Sequence, residues 1–229
     1  MKRPKKIKNK KPRIRFDLLT IFPNIFDSYL EESLISRALK NKFLEIKIHD
    51  IRHYAKGKHK KVDDRPFGGG PGMVLMVEPI YKAVESIRSR VTGQKAKIRT
   101  ILFSTRGKKL DTASAQRLSK YKQLILICGR YEGVDERVAK HIADEEISIG
   151  DYVLSGGELP SLVLIETVSR QIPGFLGKYE SLENIKGSYP VFTQPEEFKP
   201  NKGRTWAVPE ILLSGHHKKI EEWRKENSS

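Results

Sequence analysis

The chain has 229 residues, of which 38% are hydrophobic, so it can bury one core, or a main domain with a smaller second one, and is not intrinsically disordered as a whole. Its 44 Lys and Arg against 28 Asp and Glu give a formal net charge of +16, which predicts a polyanionic partner. No apolar run approaches the roughly 18 residues of a membrane span, and no secretory apolar segment stands at the N-terminus, so we expect a cytoplasmic protein without membrane association.

The single cysteine, Cys128, argues against a disulfide and against a metal site. One thiol cannot form an intramolecular disulfide, and no other ligand stands at metal-binding spacing around it, so the sequence predicts no metal site. The position of Cys128 in an apolar run predicts a buried side chain without a chemical role.

Basic residues concentrate at the N-terminus. Residues 1–15 carry nine Lys and Arg, no acid and few apolar side chains. We therefore expect a disordered arm that adds sequence-independent affinity for phosphate groups. A transit peptide is the weaker alternative, because this segment is rich in lysine and has neither serine nor an apolar helix face.

The predicted elements alternate between strands and helices along the chain. We expect strands over residues 16–22, 44–51, 99–104, 124–128 and 147–149. We expect helices over residues 24–29, 32–40, 78–89, 112–120, 134–141 and 160–169, with Asp111 capping the fourth. This order predicts a parallel sheet covered by helices. From residue 171 to 204 the periodicity is lost, which predicts a linker before a short helix over 217–226.

Two predicted strands end in glycine-rich loops, Gly-Arg-Tyr-Glu-Gly at 129–133 and Ser-Gly-Gly-Glu-Leu-Pro at 155–160. Loops at the carboxyl ends of parallel strands bind ligands, because their backbone groups are exposed and glycine permits close approach. Neither loop is a dinucleotide or phosphate-binding fingerprint, so these residues alone leave the ligand open. We expect one ligand between the two loops.

Longer stretches of the sequence resemble one known family. They are residues 21–23, 62–73, 128–137, 148–160, 170–174 and 212–217. The two longest read Val-Asp-Asp-Arg-Pro-Phe-Gly-Gly-Gly-Pro-Gly-Met and Ser-Ile-Gly-Asp-Tyr-Val-Leu-Ser-Gly-Gly-Glu-Leu-Pro. Over most of its length the chain is similar to the bacterial-type tRNA (guanine-N1)-methyltransferases that modify position 37, which belong to the SPOUT class.

The resemblance implies an α/β fold with a SPOUT-type parallel sheet, a deep trefoil knot and a small, mainly helical C-terminal domain. It divides the chain into a methyltransferase domain over 16–170, an interdomain linker over 171–188 and a tRNA-binding domain over 189–229. It further implies a homodimer with active sites at the subunit interface. Residues 68–72 either approach the target nucleotide, as in the family, or form only a tight loop.

The resemblance also implies S-adenosylmethionine as the cofactor. Apolar side chains beside glycines fit this expectation, because an adenine ring needs apolar walls and main-chain hydrogen bonds. Glu132 is expected to accept hydrogen bonds near the ribose or the sulfonium. The implied cofactor-binding residues are Phe103, Ser104, Thr105, Gly129, Glu132, Ile149, Gly150, Asp151, Tyr152, Val153, Leu154, Gly156, Gly157 and Pro160.

Methyl transfer to guanine N1 needs a base for the departing proton and a cation for the negative charge that grows towards O6. The resemblance gives the second role to Arg170. The family's base is a linker aspartate, but this sequence has no aspartate after Asp151. We predict Glu183 as the base and Glu180 as the second choice, because the amide of Asn184 cannot take up a proton.

The missing aspartate leaves two other functions open. One is a relative that binds the cofactor and tRNA but has lost or altered catalysis. The other, less favoured because the match is to the base-methylating family, is a SPOUT enzyme that acts on ribose hydroxyls.

Overall fold

The structure is a computed structural model that describes residues 13–90, 97–176 and 187–228. The chain divides into two compact units, Met1–Phe175 and Leu176–Ser229. Among the described residues, no helix is long and apolar enough to cross a membrane.

Five parallel strands form the central sheet of the first unit, and two short strands form a separate antiparallel hairpin. The strands are β1 (Ile14–Thr20), β2 (Leu44–Asp50), β3 (Asp63–Asp64), β4 (Val74–Leu75), β5 (Ile98–Lys109), β6 (Gln123–Ile127) and β7 (Glu145–Ser148). The central sheet has the order β2-β1-β6-β5-β7, and β3 pairs with β4. The predicted α/β class with a parallel sheet is therefore confirmed.

Burial explains which strands lie inside the sheet. Every residue of β6 is buried, as is every residue of β1 except Arg15. An inner strand of a parallel sheet is covered on both faces, so it reads as a continuous apolar run rather than an alternating one. The run Leu-Ile-Leu-Ile in β6 is that pattern.

Helices follow the strands, as the sequence predicted. They are α1 (Asp27–Leu30), α2 (Ser33–Lys40), α3 (Val77–Ser89), α4 (Thr112–Leu118), α5 (Glu136–His141) and α6 (Glu158–Arg170), with 3-10 turns at Pro23–Phe26 and Ile51–Tyr54. The Asp111 carboxylate accepts a 2.7 Å hydrogen bond from the Ser114 amide, which confirms the predicted N-cap of α4. Asp135 caps α5 in the same way through the Arg137 amide.

The apolar core lies between the sheet and its helices. Helices α3 and α5 contribute Ile80, Val84, Ile87 and Val138 to a buried cluster that also includes Leu19. Helix α6 packs against β1 and α4. This packing fixes where each strand ends, and therefore where the loops at the carboxyl edge of the sheet lie.

One charged side chain of the described central sheet is fully buried. The Asp17 side chain on β1 is fully buried and lies 2.7 Å from His49 Nε2, 2.7 Å from Gln123 Nε2 and 2.8 Å from Arg15 Nε. Burial by itself would raise the pKa of Asp17, but the hydrogen bonds from these three side chains outweigh it and hold the pKa below its usual value.

Several element boundaries differ from the prediction. Strand β1 begins at Ile14 rather than residue 16, because Ile14 is fully buried and pairs with Leu44. Residues 14 and 15 therefore belong to the sheet rather than to an arm over 1–15, and residues 1–12 lie outside the described residues. Strand β5 continues to Lys109 because it pairs with β7 a second time after a register shift.

The second unit contains a hairpin of β8 (Glu197–Phe198) and β9 (Trp206–Ala207), followed by helices α7 (Glu210–Leu213) and α8 (His217–Glu226). None of its described residues, 187–228, is buried. Its aromatic side chains form two pairs instead, Phe192 with Trp223 at 6.4 Å between ring centres and Phe198 with Trp206 at 5.4 Å.

Candidate functional site

A cavity of about 370 Å³ opens at the carboxyl edge of the central sheet. Its walls come from residues 102–106 of β5, residues 129–134 after β6 and residues 146–150 and 152–157 around the end of β7. A volume of this size lies within the range of small-molecule sites, roughly 300–1,000 Å³. The position is the one where open α/β sheets bind ligands.

The first wall exists because β5 is interrupted. Phe103 pairs with Ile147, and the pairing then resumes at Lys108 opposite the same Ile147. The intervening residues leave the ladder, and Ser104, Thr105 and Arg106 line the cavity. Gly107 returns the strand to its neighbour, where an added β-carbon would lie 2.6 Å from the Ile147 amide nitrogen.

The other two walls are the predicted glycine loops, which the structure brings into direct contact. The Gly157 amide donates a 2.9 Å hydrogen bond to the Gly129 carbonyl, and Arg130 forms an antiparallel bridge with Gly156. A β-carbon at Gly157 would lie 2.6 Å from Cys128 Cα, so only glycine fits this crossing. The two loops therefore face one shared space.

Thirteen of the fourteen predicted cofactor-binding residues line this cavity. They are Phe103, Ser104, Thr105, Gly129, Glu132, Ile149, Gly150, Tyr152, Val153, Leu154, Gly156, Gly157 and Pro160. The exception is Asp151, whose exposed carboxylate forms an ion pair with Lys109. The binding role of these residues stays a prediction, and the structure places thirteen of them around one cavity.

Four charged residues that the sequence reasoning missed also line the cavity: Arg106, Arg130, Glu136 and Glu146. Arg106 donates a 2.7 Å hydrogen bond from Nη2 to Glu136, and this bond raises the pKa of Arg106 and lowers that of Glu136. Glu146 Oε2 is buried and has no hydrogen-bond partner among the described residues. Glu146 could not be found from the sequence, because the predicted strand began one residue after it.

The chemistry of the lining fits a ligand that has one flat apolar part and several hydrogen-bond donors. Ile149, Tyr152 and Leu154 offer partly exposed apolar surface beside glycine backbone. The unpaired Glu146 Oε2 offers an acceptor in the same cavity, and a buried acceptor gains most from a donor supplied by the ligand. S-adenosylmethionine, with its adenine ring, ribose hydroxyls and ammonium group, meets both requirements.

A third glycine-rich loop, residues 66–73, packs against the Glu132 segment of the cavity wall. The Glu132 amide donates a 3.0 Å hydrogen bond to the Met73 carbonyl, and a β-carbon at Gly72 would collide with the Glu132 side chain. At the other end of this loop the Phe67 side chain is fully exposed. The loop therefore supports Glu132 and presents an aromatic ring to solvent.

Arg170, the predicted catalytic residue that the structure describes, does not line the cavity. Arg170 is the last residue of α6, and Pro160 in the cavity wall lies at the opposite end of that helix. Ten residues at 1.5 Å each separate their backbones by about 15 Å. Glu183 and Glu180 lie outside the described residues. Within the described ranges, no group of three or more His, Cys, Asp or Glu could hold a metal ion.

Comparison with known proteins gives one consistent result. A family model described as tRNA (guanine-1)-methyltransferase TrmD matches residues 14–229. A tRNA (guanine-N(1)-)-methyltransferase from Ruminiclostridium cellulolyticum is 50% identical over 220 residues, which cover 94% of this chain and 91% of the relative. One from Clostridioides difficile is 46% identical over 221 residues, covering 94% and 92%.

A solved structure agrees with the sequence comparison. The crystal structure of tRNA (m1G37) methyltransferase from Aquifex aeolicus matches with a TM-score of 0.75 and 43% sequence identity. The match covers 93% of this chain and 88% of the other. All three loops of the cavity lie within the matched residues 14–229.

Proposed function

Because this chain belongs to the tRNA (guanine-N1)-methyltransferase family, we propose that it methylates N1 of guanine 37 in tRNA at the cavity between its glycine loops. S-adenosylmethionine is the methyl donor, and its sulfonium supplies an electrophilic methyl group. The observation that carries the proposal is the family match over residues 14–229, which includes every loop of the cavity. The alternative of a binding protein without catalysis is not favoured by this match.

Different cavity residues would bind different parts of the cofactor. Ile149, Tyr152 and Leu154 would enclose the adenine ring, since they present apolar surface beside exposed backbone. Glu132 and Glu146 would accept hydrogen bonds from the hydroxyl or ammonium groups. Nothing in the proposal requires Asp151, whose carboxylate is bound to Lys109.

The proposal includes the deep trefoil knot of the SPOUT class. Its support is the interruption of β5 and the close crossing of two loops, at which Gly157 bonds to Gly129 directly behind the cavity. The 43% identity to the Aquifex aeolicus enzyme supports a shared backbone path.

A homodimer with sites at the subunit interface is the next part of the proposal. The exposed apolar residues include Phe22, Ile25 and Tyr29 and, on α6, Leu159 and Val163. Tyr29 donates a 3.2 Å hydrogen bond to Glu166 of α6, which brings segment 22–29 against this helix. Exposed apolar patches rimmed by polar groups mark association surfaces. Positions 159, 163, 166 and 170 recur at helical spacing, so Arg170 lies on the same face of α6. A second copy that covers this face would meet Arg170.

The catalytic roles follow from the chemistry of guanine N1. The partner's Arg170 would stabilise the negative charge that develops at O6, for which a permanently charged guanidinium with paired donors is suited. Glu183 would take the proton from N1 as the general base. Glu183 is a longer carboxylate than the family's aspartate, so the linker must position it differently.

The second unit and the N-terminal residues would bind the tRNA. The turn of the β8–β9 hairpin carries Lys199, Lys202 and Arg204 without an acidic residue, which suits a phosphate backbone. Residues 1–12 carry seven Lys and Arg, and these would add affinity that does not depend on base sequence. We place the enzyme in the cytoplasm, where its tRNA substrate is found.

A single-turnover assay tests the reaction. Enzyme in excess over a tRNA transcript with guanine at position 37 should yield 1-methylguanosine in the digested RNA, measured by mass spectrometry. Arg170→Ala should lower the rate by about 10²–10³-fold and Glu183→Gln by at least about 10²-fold, the usual cost of losing a charge-stabilising donor or a general base. The matched control is the transcript with adenosine at position 37.

One result would overturn the proposed reaction. Wild-type protein that binds both S-adenosylmethionine and tRNA but forms no 1-methylguanosine in this assay is a binding protein and not an enzyme. Full activity of Glu183→Gln would instead contradict only the assignment of the base.

A further inference from the structure

A buried carboxylate stands behind the cavity wall. Glu158, the first residue of α6, is 1% exposed. Its Oε1 accepts a 2.8 Å hydrogen bond from Thr20 Oγ1, and its Oε2 accepts a 2.9 Å hydrogen bond from Arg130 Nε. Glu158 does not line the cavity itself, so its side chain acts only through these neighbours.

Arg130 is the neighbour that reaches the cavity. It belongs to the first glycine loop and lines both the cavity and an adjacent shallow apolar cleft formed by residues 21–25. Its backbone bridges to Gly156 in the second glycine loop, and its Nη1 donates a long hydrogen bond of 3.4 Å to the Ser155 carbonyl. One side chain therefore touches both loops.

The contacts close into a ring. The Phe22 amide donates a 2.9 Å hydrogen bond to Thr20 Oγ1, Thr20 donates to Glu158, and Glu158 holds Arg130. The Arg130 guanidinium then lies 4.8 Å from the centre of the Phe22 ring. A guanidinium over an aromatic face is an attractive arrangement, so each member of the ring orients the next.

The ring packs so closely against the second glycine loop, residues 155–160, that no side chain fits at Gly156. A β-carbon at Gly156 would collide with the Arg130 side chain and would lie 2.6 Å from Glu158 Oε2. The position of the Gly156 backbone is therefore set by the ion pair behind it.

From this geometry we propose that Glu158 is a positioning residue, which clamps the two glycine loops together through Arg130 and so sets the shape of the cofactor cavity. The inference rests on the proposed function for the identity of the ligand. Stability alone does not explain the pair, because a buried ion pair gains little over well-packed apolar residues. A side chain that locks the conformation of a binding loop does explain it.

Glu158→Gln tests the clamp with little change in shape, because the amide oxygen still accepts a hydrogen bond but the charge is lost. We expect the dissociation constant for S-adenosylmethionine, measured by calorimetry without tRNA, to rise by about tenfold, as for a lost charged hydrogen bond. The KM for the cofactor should rise by the same factor, whereas kcat at saturating cofactor should stay near the wild-type value.

A double-mutant cycle shows whether Glu158 acts through Arg130. If it does, Glu158→Gln combined with Arg130→Gln should bind the cofactor no more weakly than Arg130→Gln alone. Thr20→Val removes only the hydrogen bond from Thr20 to Glu158 and leaves the contact with Arg130. It should weaken cofactor binding by a smaller factor than Glu158→Gln. If Glu158→Gln does not fold, Thr20→Val tests the clamp in its place.

Asp17→Asn is the matched control for stability. Asp17 is likewise a buried carboxylate bound to an arginine and lies on the same strand as Thr20, but within the described residues it neither lines the cavity nor forms a hydrogen bond with Arg130. It should lower the melting temperature without changing cofactor affinity.

Unchanged cofactor affinity in Glu158→Gln, or independent losses in the cycle, would overturn the clamp and leave the proposed function standing. Cofactor binding without methyl transfer in the wild type would contradict the proposed function alone. Absence of cofactor binding in the wild type would contradict both.

Discussion

Pro160 and Arg170 lie at opposite ends of α6, one in the wall of the cavity and the other about 15 Å away along the helix. The Arg170 side chain does not line the cavity of its own subunit. The exposed apolar residues Leu159 and Val163 lie on the same helix face as Arg170, so a second copy docked there would exchange arginines with the first.

Subunit complementation tests this arrangement. Arg170→Ala lacks the arginine, and Leu154→Glu places a charge in the apolar wall of the cavity, so each variant alone should be inactive. Mixed and allowed to exchange subunits, they form heterodimers in which one of the two sites has an intact cavity and the partner's Arg170. Random exchange should restore about a quarter of wild-type methyl transfer.

The control for complementation is a mixture of Arg170→Ala with a variant that carries both substitutions. No heterodimer in that mixture has a complete site. Activity that does not return in the first mixture, although subunit exchange is demonstrated by mass, would place both residues in a site within one subunit.

Gly157→Ala should destabilise the protein, because the new β-carbon would lie 2.6 Å from Cys128 Cα, which is buried backbone that cannot move freely. We expect a loss of about 3 kcal/mol in the free energy of unfolding, as for an overpacked core. Urea denaturation followed by circular dichroism measures it.

Gly129→Ala is the matched control for this crossing. Its β-carbon would meet only Val134 Cγ1 at 3.5 Å, an ordinary contact, so the free energy of unfolding should change by less than about 1 kcal/mol. Equal losses in the two variants would show that the loops do not cross as closely as described.

The sequence predicted the parts of the site that depend on local signals. An apolar run followed by glycines marks a strand end, and this signal predicted the two glycine loops. The thirteen predicted residues that line the cavity were implied by the resemblance to the methyltransferase family. Glu146, Arg106 and Glu136 depend instead on the register between β5 and β7, which is a contact between distant segments. Glu158 was hidden for the same reason, because its burial follows from Thr20 and Arg130 and not from its neighbours in sequence.

Asp17 makes the free energy of unfolding depend on pH in the acid range. Burial opposes its charge, but His49, Arg15 and Gln123 outweigh burial and keep the folded-state pKa below the value of about 3.9 expected in the unfolded chain. Its stabilising contribution is therefore fully present above about pH 4 and is lost as the pH falls through the lower folded-state pKa.

Asp17→Asn should lower the free energy of unfolding by about 3 kcal/mol at pH 7, the usual cost of breaking a buried ion pair. The difference from wild type should shrink as the pH is lowered below 4. Urea denaturation at pH 7, 5 and 3.5 measures both values. A difference that stays constant down to pH 3.5 would mean that these contacts do not lower the folded-state pKa of Asp17.

The hairpin of the second unit offers a surface for RNA bases. Phe198 and Trp206 are 50% and 66% exposed, and their rings lie 5.4 Å apart beside Lys199, Lys202 and Arg204. Nucleic-acid bases stack on exposed aromatic rings for about 1–3 kcal/mol each, and neighbouring cations bind the phosphates. Trp206→Leu should therefore weaken tRNA binding by about tenfold, whereas Trp206→Phe, which keeps an aromatic face, should retain most of it.

Tryptophan fluorescence can report on Trp206 alone. The only other tryptophan in the sequence is Trp223, which packs against Phe192 and can be replaced by phenylalanine. In Trp223→Phe the remaining indole of Trp206 should lose fluorescence when tRNA is added, as expected for a ring that stacks on a base. Lys202→Ala should instead reduce the dependence of tRNA affinity on salt and leave this quenching in place, because it removes a phosphate contact and not a stacking surface. Equal tRNA affinity of the Leu and Phe variants at position 206, with no quenching, would assign the hairpin to phosphate contacts alone.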